Sequence, residues 1–160
     1  MAQDYFLKID GIDGESTDDK HRGEIELDSW SFGGSHSATL QGGGRAGTGK
    51  FDAQNFHFTA TISKASPKLF EVCATGQHFK SAAMVARKAG DRPVEYLKIT
   101  LTNVVIASYQ QSAASGTSVP TDQVSLSYTK IQIEYREMKS DGSLGGSVTG
   151  GFDVKANSRV

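Results

Sequence analysis

The chain has 160 residues, of which 37% are hydrophobic and 22% are charged, and its formal net charge at pH 7 is −1. This composition suits one compact domain over residues 1–160, and the small net charge argues against nucleic acid or an anionic membrane as a partner. A single cysteine excludes an intrachain disulfide, and no apolar run reaches the roughly 20 residues of a membrane-spanning helix.

Alternating side-chain character predicts the first two strands. Residues 4–9 form the first, and a loop follows over residues 11–23, of which the polar part from Gly14 to Gly23 has almost no core candidates. From Glu24 to Phe32 the alternation is strict, which predicts one long strand. One face of it carries Glu24, Glu26, Asp28, Trp30 and Phe32, and the other carries Ile25, Leu27, Ser29 and Ser31.

Glycine-rich sequence then separates this strand from a third one. Residues 33–50 predict a loop, because ordering clustered glycines costs conformational entropy. Residues 51–62 alternate again and predict a strand whose apolar face carries Phe56, Phe58, Ala60 and Ile62.

One segment, Pro67 to Thr75, predicts an α-helix. Ser66 is expected to cap it, Pro67 suits the first turn, and Gly76 suits a left-handed exit. Its buried stripe is predicted to be Leu69, Phe70, Cys73 and Ala74.

The C-terminal half predicts more strands. Residues 79–89 and 94–107 read as a hairpin, with the second arm turning Leu97, Ile99, Leu101, Asn103 and Val105 inward. Residues 124–135 read as a strand with a slip of phase between Tyr128 and Ile131, which indicates a bulge or a change of face. Residues 139–151 predict a Gly/Ser loop, and residues 152–154 a short last strand. The fold class is therefore mainly β, an antiparallel β-barrel or sandwich with one short helix.

Sequence motifs that could bind a nucleotide or a metal ion lack the neighbouring structure or the spacing that such sites need. Gly42, Gly44 and Gly47 match a dinucleotide pattern and residues 44–50 match most of a P-loop, but a strand follows where a helix is required. Phe51 also stands where a P-loop has Ser or Thr. The histidines and Cys73 do not have the spacing of metal ligands, so no cofactor, metal or enzymatic activity is predicted.

Several short segments, spread along nearly the whole chain, together carry a resemblance to one family. They include Asp4–Ile9, Gly14–Ser16, Ser29–Gly33, the Gly42–Lys50 loop, Ser66–Leu69, Arg87–Gly90, Glu95–Leu97 and Ile131–Tyr135. Together these segments resemble the Hcp family, the hemolysin-coregulated proteins that form the tube of bacterial type VI secretion. Phe152 stands where that family often has Trp.

The resemblance implies a β-barrel protomer that assembles as a hexameric ring, with rings stacked into a tube. The implied partners are further copies of the chain, a spike protein at the tube tip, effector proteins and a contractile sheath, without nucleic acid or membrane insertion. The first residues, Met1 to Tyr5, lack the features of a signal peptide. We therefore expect cytoplasmic folding and assembly, followed by type VI export without a cleaved leader.

Two sets of site residues follow from this resemblance. A lumen that passes cargo is expected to carry small hydroxyl groups, so Ser29 and Ser31 are predicted to line it and to contact effectors. The glycine-rich segment resembles the loop that reaches the neighbouring ring. Its predicted stacking residues are Gly42, Gly43, Gly44, Arg45, Gly47 and Lys50.

Two other functions stay open at this point. One is a monomeric ligand-binding β-barrel, and the other is a secreted effector or enzyme on the same scaffold. The chain is expected to leave no room for a toxin extension, because it ends at Val160 soon after the last predicted strand.

Overall fold

A computed structural model describes residues 2–37, 49–90, 92–116 and 118–160. Within these ranges the fold is mainly antiparallel β-structure with an α-helix between the sixth and seventh strands. The elements in chain order are β1 (Gln3–Ile9), β2 (Ile25–Glu26), β3 (Ser29–Ser31), β4 (Gly34–His36), β5 (Phe51–Ala53), β6 (Phe56–Thr61), α1 (Ala65–Thr75), β7 (His78–Lys88), β8 (Val94–Ser112), β9 (Thr121–Ser127), β10 (Lys130–Met138), β11 (Leu144–Asp153) and β12 (Ser158–Arg159).

Ten of these strands belong to one sheet. Its main path runs β12-β11-β10-β8-β7-β1-β2, and β3, β6 and β9 join it through the pairing of β9 with β8. β4 and β5 form a separate two-stranded sheet. β2 pairs with β1 while β3 pairs with β6. The mainly β antiparallel class with one helix is thus confirmed, but the strand pairing does not close into the predicted barrel.

The predicted strand from Glu24 to Phe32 breaks where the chain changes partners. The Leu27 N–H donates to the Tyr5 carbonyl at 2.9 Å, and the next N–H, that of Asp28, donates to the Thr59 carbonyl at 2.8 Å. Leu27 is buried, whereas Ser29 is exposed. The predicted common face of these two residues is therefore wrong, because the change of partner also reverses which side chains point inward.

The polar stretch from Gly14 to Gly23 contributes buried side chains, contrary to prediction. Ser16 and His21 are buried there, and Ile12 is buried just before it. The His21 Nδ1 atom lies 3.0 Å from a Glu24 carboxylate oxygen, and its Nε2 lies 2.6 Å from one of Glu95. A Cβ atom on Gly14 would lie 2.4 Å from the Glu24 carbonyl oxygen, so only glycine fits there.

A buried arginine holds the same loop against the sheet. Arg87 donates hydrogen bonds to Asp4 at 3.1 Å and to both carboxylate oxygens of Asp18, at 2.7 and 3.0 Å. Its guanidinium carbon lies 4.8 Å from the centre of the Phe6 ring. The hydrogen bonds from Arg87 lower the pKa of Asp18 to about 2.

Only the C-terminal end of α1 agrees with the prediction. Gly76 adopts the predicted left-handed conformation, with φ 71°, and its N–H donates to the Val72 carbonyl at 3.0 Å. Ser66 does not precede the helix as a cap. It lies buried in the first turn, where its hydroxyl donates to the Asp122 carboxylate and accepts from the Ser63 N–H at 3.1 Å.

The buried face of α1 also differs from the prediction. Its buried side chains are Ala65, Ser66, Leu69 and Val72. Phe70 is 63% exposed and contacts Tyr109 edge to face, with 6.1 Å between ring centres. Cys73 is partly buried against the core, as expected for a small hydrophobic side chain.

The β7–β8 hairpin is confirmed, but β8 reverses its faces at Asn103. This residue has φ 55°, in the left-handed region that is uncommon for residues other than glycine. Leu101 is buried before it and Val104 after it, so the predicted inward positions of Asn103 and Val105 are wrong. The 19-residue β8 pairs with β10 before this point and with β9 beyond it.

The last third of the fold holds more strand than predicted. β9 and β10 are separate strands that pair with different halves of β8, which explains the slip between Tyr128 and Ile131. Residues 144–153, predicted to be largely a loop, form β11 along β10. Phe152 contacts Phe51 edge to face, with 5.3 Å between ring centres, and so joins β11 to the small β4–β5 sheet.

Candidate functional site

A polar face covers the outside of β3, β6, β9 and the second half of β8. Because successive strand residues point to opposite sides, the buried Phe58 and Val124 force their neighbours outward. The pairing registers then align these neighbours in two rows. One row is Ser31, His57, Ser125 and Ser108, and the other is Ser29, Thr59, Gln123 and Gln110.

Side chains within these rows bond to one another. The Ser29 and Thr59 hydroxyl oxygens are 2.6 Å apart, and the His57 Nδ1 atom lies 2.8 Å from the Ser125 hydroxyl oxygen. The rows line a concavity of about 570 Å³. None of the eight side chains is a carboxylate, an ammonium or a guanidinium group. The surface therefore offers hydrogen bonds to a partner without a fixed charge.

The contact between His57 and Ser125 brings an imidazole to a hydroxyl group, as two members of a Ser-His-Asp triad are brought together. In such a triad a carboxylate also orients the imidazole ring. The two rows contain no carboxylate. Among the residues that the structure describes, no group of three or more His, Cys, Asp or Glu side chains is placed to hold a metal ion.

A hydrogen-bond network lies on the inner side of the sheet that carries the polar face. The Tyr109 hydroxyl donates to the Asp122 carboxylate at 2.7 Å, and the Gln111 amide donates to the same oxygen at 3.2 Å. Ser66 of α1 donates to the other oxygen. Burial, followed by the bond to Asp122, raises the pKa of Tyr109. The network joins α1, β8 and β9 on the inner side of the polar face.

Sequence reasoning found part of this face. Ser29 and Ser31 both lie on it and are exposed. It missed His57 and Ser125, although both stand in alternating stretches whose polar members could have been noted. Only the strand registers show that these side chains meet Ser31.

The predicted stacking residues lie mostly outside the described part of the chain. Gly42, Gly43, Gly44, Arg45 and Gly47 belong to residues 38–48, which the structure does not describe. Lys50 is described and exposed, next to the start of β5, and its N–H donates to the Ser37 hydroxyl at 3.1 Å.

A second surface, the apolar face, continues the core outward along β10 and β11. Ile131 is 7% exposed, Ile133 is partly buried, and Tyr135 is 45% exposed. Tyr135 pairs with Leu97 on one side and with Val148, which is 71% exposed, on the other. We define the apolar face as Leu97, Ile133, Tyr135 and Val148. These side chains point to the same side of the sheet as the core residues. They lie toward the edge of the core, where other parts of the protomer cover them only partly or not at all.

No helix in the described ranges is both long and apolar enough to cross a bilayer.

Comparison with known proteins points to one family. The family model described as "Type VI secretion system effector, Hcp" matches residues 6–135. The protein Hcp1 of Pseudomonas aeruginosa is 38% identical over 159 residues, which cover 98% of each chain. The crystal structure of Hcp1 from Salmonella typhimurium aligns over 100% of both chains, with 41% identity and a TM-score of 0.84. A structure of a type six secretion system protein aligns over 99% of this chain and 100% of its own, with 28% identity and a TM-score of 0.93.

Proposed function

The chain belongs to the Hcp family of type VI secretion proteins, and from this premise we propose that it is a structural tube component. In this proposal the 160 residues act as one domain, six copies close into a ring, and rings stack into a tube. The tube is assembled in the cytoplasm, enclosed by a contractile sheath and tipped by a spike protein. It carries effector proteins out of the cell and catalyses no reaction itself.

The observation that carries this proposal is the apolar face. Side chains in line with the core are left exposed in the protomer, with Val148 at 71% and Tyr135 at 45%. Contiguous apolar surface of this kind marks a protein contact, because burying it releases ordered water. A contact between this face and a different surface of the next copy would be heterologous, and heterologous contacts produce rings when the rotation closes.

The polar face supports a role in the lumen. Ser29 and Ser31 stand there among hydrogen-bonding side chains that stay compatible with water, so the surface gains little from permanent burial. We propose that it lines the channel and contacts effectors. The Gly42–Lys50 loop, with Arg45 and Lys50, would contact the next ring.

The mass and shape of the purified protein test the ring directly. Light scattering after size-exclusion chromatography should give six times the mass of one chain. Electron micrographs of the same sample should show particles with a central hole. A single copy at high micromolar concentration would contradict the proposal and favour a monomeric ligand-binding protein.

Replacing Ser31 with Gln tests the lumen assignment. The longer side chain should reduce the cellular level of a cargo that depends on the ring, while rings still form. Ser158→Gln, on the exposed edge strand β12, is the matched control and should leave cargo unchanged. An unchanged cargo level in Ser31→Gln would count against the assignment.

Deleting residues 43–47 tests the stacking loop. We expect isolated hexamers without tubes, because the loop would no longer span to the next ring. Tubes of normal length from this variant would refute that role.

A further inference from the structure

His57 is the one residue among the eight of the polar face with a side chain that can gain a proton and become positively charged. It is exposed, and it lies on an inner strand of the four, between Ser31 and Ser125. Resting on the proposed function of this face, we infer that His57 selects cargo by charge. The face accepts uncharged hydrogen-bonding surfaces while the imidazole is neutral and retains acidic protein segments once the imidazole is protonated.

The neighbours of His57 leave its charge uncompensated. On the other three strands of the polar face its members are only serine and glutamine side chains, and on β6 itself the other member is Thr59. On β9 and β8 the nearby titratable groups, Asp122 and Tyr109, point to the other side of the sheet and bond to each other. Asp28, just before β3, accepts a hydrogen bond from Thr61 at 3.2 Å.

The Asp28 carboxylate lies far from His57. Thr61 is four residues along β6 from His57, which corresponds to about 13 Å of extended chain. The Debye length is about 10 Å at 0.1 M salt, so Asp28 is largely screened from the ring. Among the residues that the structure describes, the protonated imidazole is thus the dominant charge within the concavity.

Protonation also leaves the local structure intact. A serine hydroxyl can donate to a neutral imidazole nitrogen or accept from a protonated one. The 2.8 Å contact between the His57 Nδ1 atom and Ser125 therefore persists in both states. The change is one of charge alone, and a ring of six copies multiplies it around a shared channel.

Peptide binding to purified rings tests the inference. The probes are fluorescein-labelled peptides of about ten residues, one alternating Glu and Ser and the other Lys and Ser, both still charged at about pH 5.5. Fluorescence anisotropy at about 0.1 M salt, where Asp28 is screened, should show the acidic peptide binding at least about fivefold more tightly at about pH 5.5 than at about pH 7.5. The basic peptide should show the opposite trend.

Variants assign the effect to one residue. His57→Gln should remove the pH dependence, and His57→Lys should bind the acidic peptide at both pH values. His78→Gln is the matched control, because His78 is exposed at the start of β7 and outside the polar face, and it should behave as the wild type does.

The outcomes separate this inference from the proposed function. Rings whose peptide binding is absent, independent of pH or unchanged by His57→Gln overturn the inference and leave the tube proposal standing. A protein that forms no rings overturns both.

Discussion

The polar face and the apolar face are both sheet surfaces exposed on the protomer, yet their exposed side chains differ in chemistry. On the polar face, Ser29 bonds to Thr59 and His57 to Ser125, so the surface is satisfied in water. On the apolar face, Tyr135 and Val148 extend the core row into solvent without a cover. Exposure alone therefore does not identify a contact surface, whereas the chemistry of the exposed row does.

A single strand supplies both surfaces. The first half of β8 pairs with β10 and carries Leu97, and its second half pairs with β9 and carries Ser108 and Gln110. Asn103, with φ 55°, lies between the halves. One unusual backbone conformation thus lies where a single strand changes from the apolar face, our proposed assembly surface, to the hydrogen-bonding polar face.

The largest expected effect comes from a charge on the apolar face. Tyr135→Glu would place an unpaired carboxylate in the proposed contact between copies, at a cost of several kcal/mol per contact. Light scattering should then show monomers at micromolar concentration. Ser108→Glu, on the polar face of the same sheet, should still form rings. If Tyr135→Glu also forms rings of full size, the two faces do not differ as described.

Substitution of Asn103 should have the next largest effect. Valine strongly disfavours a left-handed backbone, so Asn103→Val should lower the free energy of unfolding by about 1–2 kcal/mol. Asn103→Gly should cost less, because glycine adopts that conformation freely. Urea unfolding of monomeric variants measures both values. Equal stability of the two variants would show that the left-handed conformation does not set the reversal of faces.

Acid unfolding measures a contribution to the stability of the protomer that depends on neither face, the ion pair of Arg87 and Asp18. The pKa of Asp18 is lowered from 3.8 to about 2 by Arg87, so the ion pair contributes full stability above about pH 4. That contribution is lost as the pH falls toward 2. Asp18→Asn should therefore melt at a lower temperature than the wild type at pH 7, and the two should converge near pH 2. A difference in melting temperature that stays constant over this range would contradict the ion-pair explanation.

The smallest effect is expected within the polar face. Removing the exposed Ser29 hydroxyl should cost about 0.5 kcal/mol, because water replaces the lost hydrogen bond to Thr59. A double-mutant cycle of Ser29→Ala and Thr59→Ala measures the coupling. A coupling of several kcal/mol would mean that this face is buried in the assembled state in which the measurement is made.

The sequence predicted features that depend on neighbours along the chain. Alternation located β1 and the β7–β8 hairpin, and the glycine preference for left-handed conformations located the end of α1 at Gly76. Features set by distant partners were missed. The break at Leu27 and Asp28 depends on two different acceptor strands, and β11 forms from a Gly/Ser-rich segment because β10 offers it a paired edge.

The polar face shows the same limit at the level of a site. Ser29 and Ser31 could be named in advance, since the family resemblance implies a lumen and small hydroxyl side chains suit its lining. His57 could not be placed beside Ser31, because pairing register is a tertiary property. The role of the apolar face was likewise hidden, since Val148 lies in a segment predicted to be a loop.

Cysteine labelling tests the division between the two faces most directly. In a Cys73→Ala background, Ser31→Cys and Val148→Cys would be treated with a small maleimide, first as rings and then as monomers made with Tyr135→Glu. Cysteine at position 31 should react equally fast in both states, whereas cysteine at position 148 should be protected in rings and reactive in monomers. Equal reactivity of position 148 in rings and monomers would contradict the account.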